Sequence, residues 1–117
     1  MPCLKIFTNL TKDKIPETFV LRIVPVLAKV LRKPEDSFTI MVSTDCLMSF
    51  RGQTTKCSGA VATLESIGHL GLQENKSIIK EVTSFFNTEL GIAPENFLLT
   101  FYDLPAQNIG KNGDTMA

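Results

Sequence analysis

Apolar and polar residues in the first half of the chain follow strand spacing, then helical spacing, then strand spacing again. Residues 3–8 (CLKIFT) alternate loosely and predict a strand. The next stretch predicts a helix with Asp13 as its N-cap and Pro16 in its first turn. Pro25 lies within the helical pattern and removes one backbone hydrogen bond, but the periodicity continues on both sides of it. A second strand is predicted at 38–43. The apolar residues that define the helix are Phe19, Ile23, Leu27, Val30 and Leu31.

The second half shows the same succession of patterns. Residues 59–67 predict a strand, and residues 96–102 predict another. Between them, the segment QENKSIIKEVTSFFNTELG predicts a helix that ends with Gly91 at its C′ position. Asn112 and Gly113 form a dipeptide that is typical of a tight hairpin turn. The apolar residues of this helix are Ile78, Ile79, Val82, Phe85, Phe86 and Leu90.

A weak internal repeat supports this division. KPEDSFTIMV (33–42) and APENFLLTF (93–101) each place Pro and Glu before a Phe-led apolar stretch, and each follows a predicted helix. The chain is therefore predicted to be one α+β domain, 1–117, with two β-α-β halves of roughly 1–57 and 58–117. Because β-α-β crossovers join parallel strands, the two units side by side give a four-stranded mixed sheet with both helices on one face.

The other face of this sheet is expected to carry apolar side chains from FTIMV and FLLTF. An exposed apolar sheet face usually indicates association, so a closed symmetric oligomer is expected. The alternative is a monomer in which the C-terminal tail, which looks too short, covers that face.

Composition and charge argue against several classes of protein. Lys plus Arg and Asp plus Glu number 12 each, so the chain lacks the basic excess that nucleic-acid binding needs. No apolar run is long enough for membrane insertion, and the charged N-terminal stretch does not resemble a secretory signal. These features favour a cytoplasmic protein, and export would need an unconventional route. Three cysteines at irregular spacing favour thiols over disulfides, and one histidine without Cys–His spacing predicts no metal site.

Pro2 is the first residue with candidate chemistry. Its simpler interpretation is a strand start, because proline is tolerated at the first residue of a strand. If Met1 is removed, which a small second residue permits, the mature chain begins with a free secondary amine. Desolvation or a nearby cation lowers the pKa of such an amine and makes it a useful general base near neutral pH.

Six short motifs occur along the chain: Met1-Pro2, TNL (8–10), KP (33–34), LMSF (47–50), SIG (66–68) and NIGKNG (108–113). In this order and spacing they resemble the macrophage migration inhibitory factor and D-dopachrome tautomerase family, over essentially the whole chain. The resemblance implies a homotrimer of β-α-β-β-α-β subunits with the tautomerase/MIF-like fold, whose sheets line a central barrel. It also implies a cofactor-free keto–enol tautomerase site at each subunit interface.

The resemblance implies roles for five residues. Pro2 is the expected general base. Lys33 matches the family lysine that lies near the amine and holds the substrate carboxylate, and the Ile67 backbone matches a position that borders the substrate. Without the resemblance, Lys33 is better interpreted as a solvated lysine at a helix C-terminus, and Ile67 as a core residue. Leu98 and Thr100 stand where one branch of the family places a Tyr and an Asn from the neighbouring subunit.

These departures from the family change the expected pocket. Leu98 removes an aromatic wall, Thr100 replaces an amide donor with a hydroxyl, and Met116 stands where an aromatic residue is common. Base chemistry can survive such changes while substrate preference or affinity changes. Cys57 is followed by Ser-Gly-Ala and lacks the second cysteine of the family's Cys-x-x-Cys motif, so no dithiol redox activity is predicted. His69 is interpreted as an isolated surface histidine without a catalytic role.

Three functions remain open from the sequence. The first is a phenylpyruvate- or dopachrome-type tautomerase, an isomerase that acts on a small enolisable keto acid without a cofactor. The second is a secreted, cytokine-like ligand of a cell-surface receptor, with weak or relic tautomerase activity. The third is iminium catalysis, in which Pro2 attacks a carbonyl carbon. Pro2 and Lys33 favour an enzyme, because a receptor ligand needs neither, whereas Leu98 and Thr100 leave the ligand hypothesis open.

Overall fold

Strand and helix periodicities alternate along the chain in the order that the sequence predicts. The structure is a computed structural model that describes residues 1–54 and 57–117, apart from the side chains of 53 and 54. From the N-terminus, the elements are β1 (Cys3–Thr8), α1 (Phe19–Leu31), β2 (Thr39–Ser43), β3 (Ser49–Phe50), β4 (Gln53–Thr54), β5 (Ala60–Ser66), α2 (Leu72–Leu90), β6 (Phe97–Asp103), β7 (Gly110–Lys111) and β8 (Asp114–Thr115).

The main sheet has the strand order β2-β1-β5-β6. β1 pairs in parallel with β2, and β5 pairs in parallel with β6, so each half of the chain is a β-α-β unit. The two units meet where β1 and β5 pair antiparallel at the centre of the sheet. The prediction of a four-stranded mixed sheet built from two β-α-β units is confirmed.

The start of α1 differs from the prediction. Residues Lys12–Lys14 form a separate 3-10 turn, and the helix begins at Phe19 after Thr18, so the prediction of Asp13 as its N-cap is wrong. The reason is Pro16, because a proline disfavours helical backbone at the residue before it. Ile15 accordingly has extended backbone angles, φ −101° and ψ 113°.

Both helices end at a residue in the left-handed conformation. Gly91 (φ 68°) donates its N–H to the carbonyl of Asn87 at 3.0 Å and ends α2 where the sequence predicts. Arg32 (φ 56°) ends α1 in the same conformation although it has a side chain. The next residue, Lys33, donates its backbone N–H to the carbonyl of Ala28 at 3.2 Å.

The core lies between the two helices and one face of the sheet. Phe86 of α2 contacts Phe19 of α1 edge to face, with ring centroids 5.6 Å apart, and Phe97 of β6, with centroids 4.4 Å apart. Burial of one such side chain contributes about 2 to 3 kcal/mol to the free energy of unfolding. Neither helix of the described residues is long and apolar enough to cross a membrane. The buried helix positions recur every four residues: Phe19, Ile23, Leu27 and Leu31 on α1, and Ile78, Val82 and Phe86 on α2.

The sheet face away from the helices, here called the open face, has mixed polarity. Ile40, Val42 and Leu99 pack with the helices, because side chains alternate along a strand. The expectation that FTIMV and FLLTF would make the open face apolar is therefore wrong for most of their side chains. The open face does expose four large side chains, Phe7, Met41, Leu98 and Tyr102.

Two short hairpins complete the fold. β3 and β4 are joined through Arg51 and Gly52, and β7 and β8 through Asn112 and Gly113. Both residues of each turn have positive φ, which is the backbone conformation that a type I′ turn requires. The hairpin predicted from Asn112-Gly113 is thus confirmed.

Candidate active site at the head of strand β1

Pro2 is buried immediately before β1. Its carbonyl accepts a hydrogen bond from the N–H of Thr39 at 3.0 Å, which fixes the residue against the start of β2. Met1 precedes it, and partial burial lowers the pKa of the Met1 ammonium. The positive charges of Lys33 and Lys111 lower this pKa further. The surroundings at this end of the strand therefore favour the neutral form of an amine, which is the form that accepts a proton.

Lys33 connects the end of α1 to the loop that follows β5. Its ammonium donates a hydrogen bond to the carbonyl oxygen of Ile67 at 2.7 Å. Partial burial lowers the pKa of the Lys33 ammonium, and the Asp103 carboxylate opposes this shift. The structure thus brings together Lys33 and Ile67, and the charge of Lys33 acts on the amine at the N-terminus.

The loop that carries the Ile67 carbonyl is tied down by its neighbours. The N–H of Gly68 (φ 70°) donates to Oδ1 of Asp103 at 2.9 Å. The hydroxyl of Ser66 donates to the carbonyl of Gly68 at 2.9 Å. These bonds define the position of the oxygen that holds the Lys33 ammonium.

His69 adds a second link between this loop and α1. Its ring nitrogen Nδ1 lies 2.6 Å from the carbonyl oxygen of Leu31, the last residue of α1. Because a carbonyl oxygen only accepts, the neutral ring must carry its proton on Nδ1. His69 is exposed, as the sequence predicts, and its ring also bonds to the carbonyl of the last residue of α1, where intrahelical partners are lacking.

A cleft of about 360 Å³ opens beside the N-terminus on the open face. Lys5 and Glu65, from the adjacent strands β1 and β5, form an ion pair of 3.3 Å within it. Partial burial raises the pKa of the Cys3 thiol, Lys5 lowers it, and Glu65 raises it. The net shift is upward and keeps the thiol protonated, so Cys3 is a poor nucleophile at neutral pH. The lining includes Met1, Cys3, Lys5, Thr39, Glu65 and Lys111.

A larger groove of about 460 Å³ lies along α2 and includes Ile79, Thr83 and Asn87. None of the predicted site residues lines it, and none of them is in the lining of the 360 Å³ cleft, where Met1, the neighbour of Pro2, is found. Among the described residues there is also no cluster of three His, Cys, Asp or Glu side chains that could hold a metal ion.

Leu98 and Thr100 do not reach the N-terminus within one chain. Both lie on the open face of β6, and β5 separates that strand from β1. The distance between β1 and β6 is therefore two strand spacings, or about 10 Å. Leu98 is 60% exposed. The role that the resemblance implies for these two residues requires a neighbouring subunit.

Lys111 is the charged group near the N-terminus that the sequence did not indicate. It precedes the Asn112-Gly113 turn in the β7–β8 hairpin, and that hairpin could be recognised. The contact of this hairpin with the start of β1 could not be, because the two segments lie at opposite ends of the chain. The Lys5–Glu65 pair was missed for a similar reason, since it depends on how β1 and β5 are aligned.

The fold and the site together define a class of protein: a β-α-β-β-α-β subunit with a site around its N-terminal amine. The family described as macrophage migration inhibitory factor (MIF) matches residues 1–117. The chain is 37% identical to the macrophage migration inhibitory factor of Xenopus laevis over 117 residues, which is 100% of both chains. It is 32% identical to the D-dopachrome decarboxylase of Gallus gallus, over 99% of this chain and 98% of that protein.

A solved structure agrees with these sequence matches. The macrophage migration inhibitory factor from Trichinella spiralis superposes with a TM-score of 0.91 at 27% identity, covering 97% of this chain and 98% of that one. The chain therefore belongs to the macrophage migration inhibitory factor family, and the resemblance seen in its motifs is confirmed.

Proposed function

We propose that the protein is a cofactor-free keto–enol tautomerase of a small enolisable keto acid, of the phenylpyruvate or dopachrome type. The observation that carries the proposal is the Lys33 ammonium, which donates to the Ile67 carbonyl at 2.7 Å while its charge lowers the pKa of the Met1 ammonium, one residue from Pro2. Family membership supports the proposal, and the Gallus gallus relative is named for D-dopachrome chemistry.

In the proposed mechanism Met1 is removed and the amine of Pro2 is the general base. The neutral amine takes a proton from the carbon beside the keto group and returns it to the enolate oxygen. One proton moves within the substrate, so no electrons are gained or lost and no second reactant is needed. Lys33 binds the carboxylate or the developing enolate oxygen, and the Ile67 carbonyl holds its ammonium in place.

The complete pocket is proposed to form in a homotrimer. Leu98 and Thr100 of a neighbouring subunit would approach the N-terminus across the open face, with Leu98 as an apolar wall and Thr100 as a hydroxyl donor. Their exposure in the single chain supports this arrangement, because nothing within the described part of the subunit covers Leu98.

The test is the phenylpyruvate tautomerase rate of untagged protein whose N-terminus has been checked by intact mass. Pro2→Gly keeps an amine but changes its basicity and rigidity, and we expect it to lose about 100-fold or more of kcat, the range of general-base catalysis. Pro16→Gly is the matched control, because Pro16 is an exposed proline before α1, whereas Pro2 is buried at the N-terminus. It should keep the wild-type rate.

The tautomerase proposal fails if wild-type protein lacking Met1 is no faster than buffer on both phenylpyruvate and a dopachrome ester. Borohydride added during turnover distinguishes the two uses of the amine. Substrate trapped covalently on Pro2 would indicate iminium catalysis instead of general-base catalysis.

A second candidate function is a cytokine-like ligand of a cell-surface receptor. It is favoured by the relatives named macrophage migration inhibitory factor and by Leu47, whose side chain is fully exposed between β2 and β3. The enzyme hypothesis places the protein in the cytoplasm, whereas the ligand hypothesis requires export. Labelled Pro2→Gly protein would separate the functions: saturable binding to intact cells, lost in Leu47→Ser, would support a ligand whose receptor contact does not need the amine.

A further inference from the structure

We propose that Lys111 is a second anion-binding group of the cleft, and that the preferred substrate is a keto acid with a second anionic group at the end remote from its keto carboxylate. The inference rests on the proposed tautomerase function and narrows its substrate class. It concerns the cleft that Lys111 lines together with Met1, whose lining does not include Lys33 or Ile67.

Lys111 brings a positive charge to the lining of the cleft. Lys5, the other lysine of the lining, is paired with Glu65 at 3.3 Å. Among the described residues, no carboxylate forms an ion pair with the Lys111 ammonium. Asp114 lies opposite Lys111 across the hairpin, but its Oδ1 accepts the backbone N–H of Thr115 at 2.7 Å. The lysine therefore remains available to an external anion.

The backbone holds Lys111 beside the reactive end of the chain. The Asn112-Gly113 turn closes the hairpin, and the N–H of Met116 donates to the carbonyl of Ile109 at 2.9 Å. Ile109, Lys111 and Met1 line the same cleft, so a ligand there contacts the hairpin and the N-terminus together. This proximity also accounts for the effect of the Lys111 charge, which lowers the pKa of the Met1 ammonium.

The size and charge of the cleft restrict its ligand. With Met1 in its lining, the cleft has a volume of about 360 Å³, near the lower end of the range for small-molecule sites, and this sets the least space that a substrate with one ring would have once Met1 is removed. Lys33 and Lys111 approach the N-terminal amine from different segments, and both charges act on it. A substrate with an acid group at each end would pair with both lysines, which would orient its reacting carbon towards the amine.

The turnover test compares phenylpyruvate with (4-carboxyphenyl)pyruvate, which has the same reacting group and a second carboxylate. We expect wild type to prefer the dianion in kcat/KM. Lys111→Met should lower the ratio of kcat/KM for the dianion to kcat/KM for phenylpyruvate by about 10-fold, the loss expected of one charge-assisted contact. Lys80→Met, an exposed lysine on α2, is the matched control and should keep the wild-type ratio. The ratio between the two substrates cancels any effect of Lys111 on the basicity of the amine.

A binding test separates this inference from the tautomerase proposal. Calorimetric titration with 3-(4-carboxyphenyl)propionate and 3-phenylpropionate needs no turnover. Tighter binding of the diacid that is lost in Lys111→Met, and weakens steeply with salt, supports the inference even if the protein proves inactive, in which case the proposed function alone fails. Equal affinity of wild type for the two acids, or a preference for the diacid that survives in Lys111→Met, overturns it.

Discussion

Lys33 lies where the end of a helix, a loop carbonyl and the N-terminus meet. A cation is favoured at a helix C-terminus in any case, so the position alone does not indicate a function. Lys33 differs from an ordinary lysine at a helix end in where its ammonium lies. The ammonium is partly desolvated and bonded to the carbonyl of Ile67 instead of extending into water. From there its charge reaches the amine at the start of the chain.

The pH dependence of Lys33→Met tests this charge effect. Lys33 lowers the pKa of the Met1 ammonium. We expect the same charge to lower the pKa of the Pro2 amine once Met1 is removed, so without Lys33 that pKa rises and more of the amine is protonated at a given pH. The acidic limb of the kcat/KM profile should therefore move to higher pH. This limb should move by less than the whole lowering of the pKa, because burial lowers the pKa of the ammonium more than the charge of Lys33 does. We also expect about a 10-fold loss of kcat/KM on its plateau from the lost carboxylate contact.

The measurement is the pH profile of phenylpyruvate tautomerisation for wild type and Lys33→Met. Lys76→Met provides the control, since Lys76 is an exposed lysine on α2. An acidic limb that stays in place would show that Lys33 does not act on the base.

At the scale of elements, two hydrogen bonds join the end of α1 to the loop after β5. Lys33 donates to Ile67, and His69 donates to Leu31, so each segment supplies one donor and one acceptor. The carbonyl of Leu31 belongs to the last turn of the helix, where no intrahelical partner exists. The His69 bond therefore satisfies the helix end and also holds the loop that positions Lys33.

His69→Asn should weaken this link without adding backbone strain. His69 has φ 61°, a left-handed conformation that Asn tolerates, but Asn is too short to replace the ring. We expect a loss of about 1 kcal/mol in the free energy of unfolding. We also expect KM for phenylpyruvate to rise about 3-fold with little change in kcat, because the Lys33 ammonium becomes less well placed.

Thermal unfolding and steady-state kinetics on the same preparations test this prediction. His69→Lys restores a donor long enough to reach the Leu31 carbonyl and should return KM towards the wild-type value. A lower melting temperature with an unchanged KM would show that the bond supports the fold and has no effect on Lys33.

For the whole molecule, the open face is the surface through which the proposed trimer would form. It exposes Phe7, Met41, Leu98 and Tyr102 next to the polar cleft. The predicted trimer would cover these side chains and bring Leu98 to the N-terminus of another subunit. Assembly and activity should therefore depend on the same surface.

Leu98→Asp is expected to dissociate the trimer and abolish most of the tautomerase activity. Each interface would lose the burial of one leucine, about 1.5 to 3 kcal/mol, and would gain a charge that must be desolvated. Light scattering should give three times the chain mass for wild type and a lower mass for the variant. Leu21→Asp is the matched control, because Leu21 is 70% exposed on α1, and it should remain trimeric. A wild-type protein that is monomeric would contradict the prediction.

Local patterns were sufficient for most of the fold. β1 was predicted with the bounds that the structure shows, and the end of α2 at Gly91 and the Asn112-Gly113 turn were recognised from their residue types. These features depend on hydrophobic period and on left-handed backbone conformations, which neighbouring residues specify. The error at Asp13 arose where two local signals competed and the effect of Pro16 on Ile15 was stronger.

From the sequence, only residues that match family motifs could be assigned to the candidate site. Pro2, Lys33 and Ile67 could be named in this way, although composition and spacing alone gave Lys33 no special role. Leu98 and Thr100 could be named as family positions, but their distance from β1 in one chain follows from the strand order.

Contacts between distant residues became visible only when the chain was folded. Lys5 meets Glu65 because β1 and β5 pair antiparallel in one register, and His69 meets Leu31 across 38 positions of sequence. Lys111 comes to the cleft of Met1 because the last hairpin returns to the first strand. Periodicity, caps and turns are local properties that neighbouring residues encode. The charges that surround the N-terminal amine depend on sheet register and chain path, which arise only when the two halves pack together.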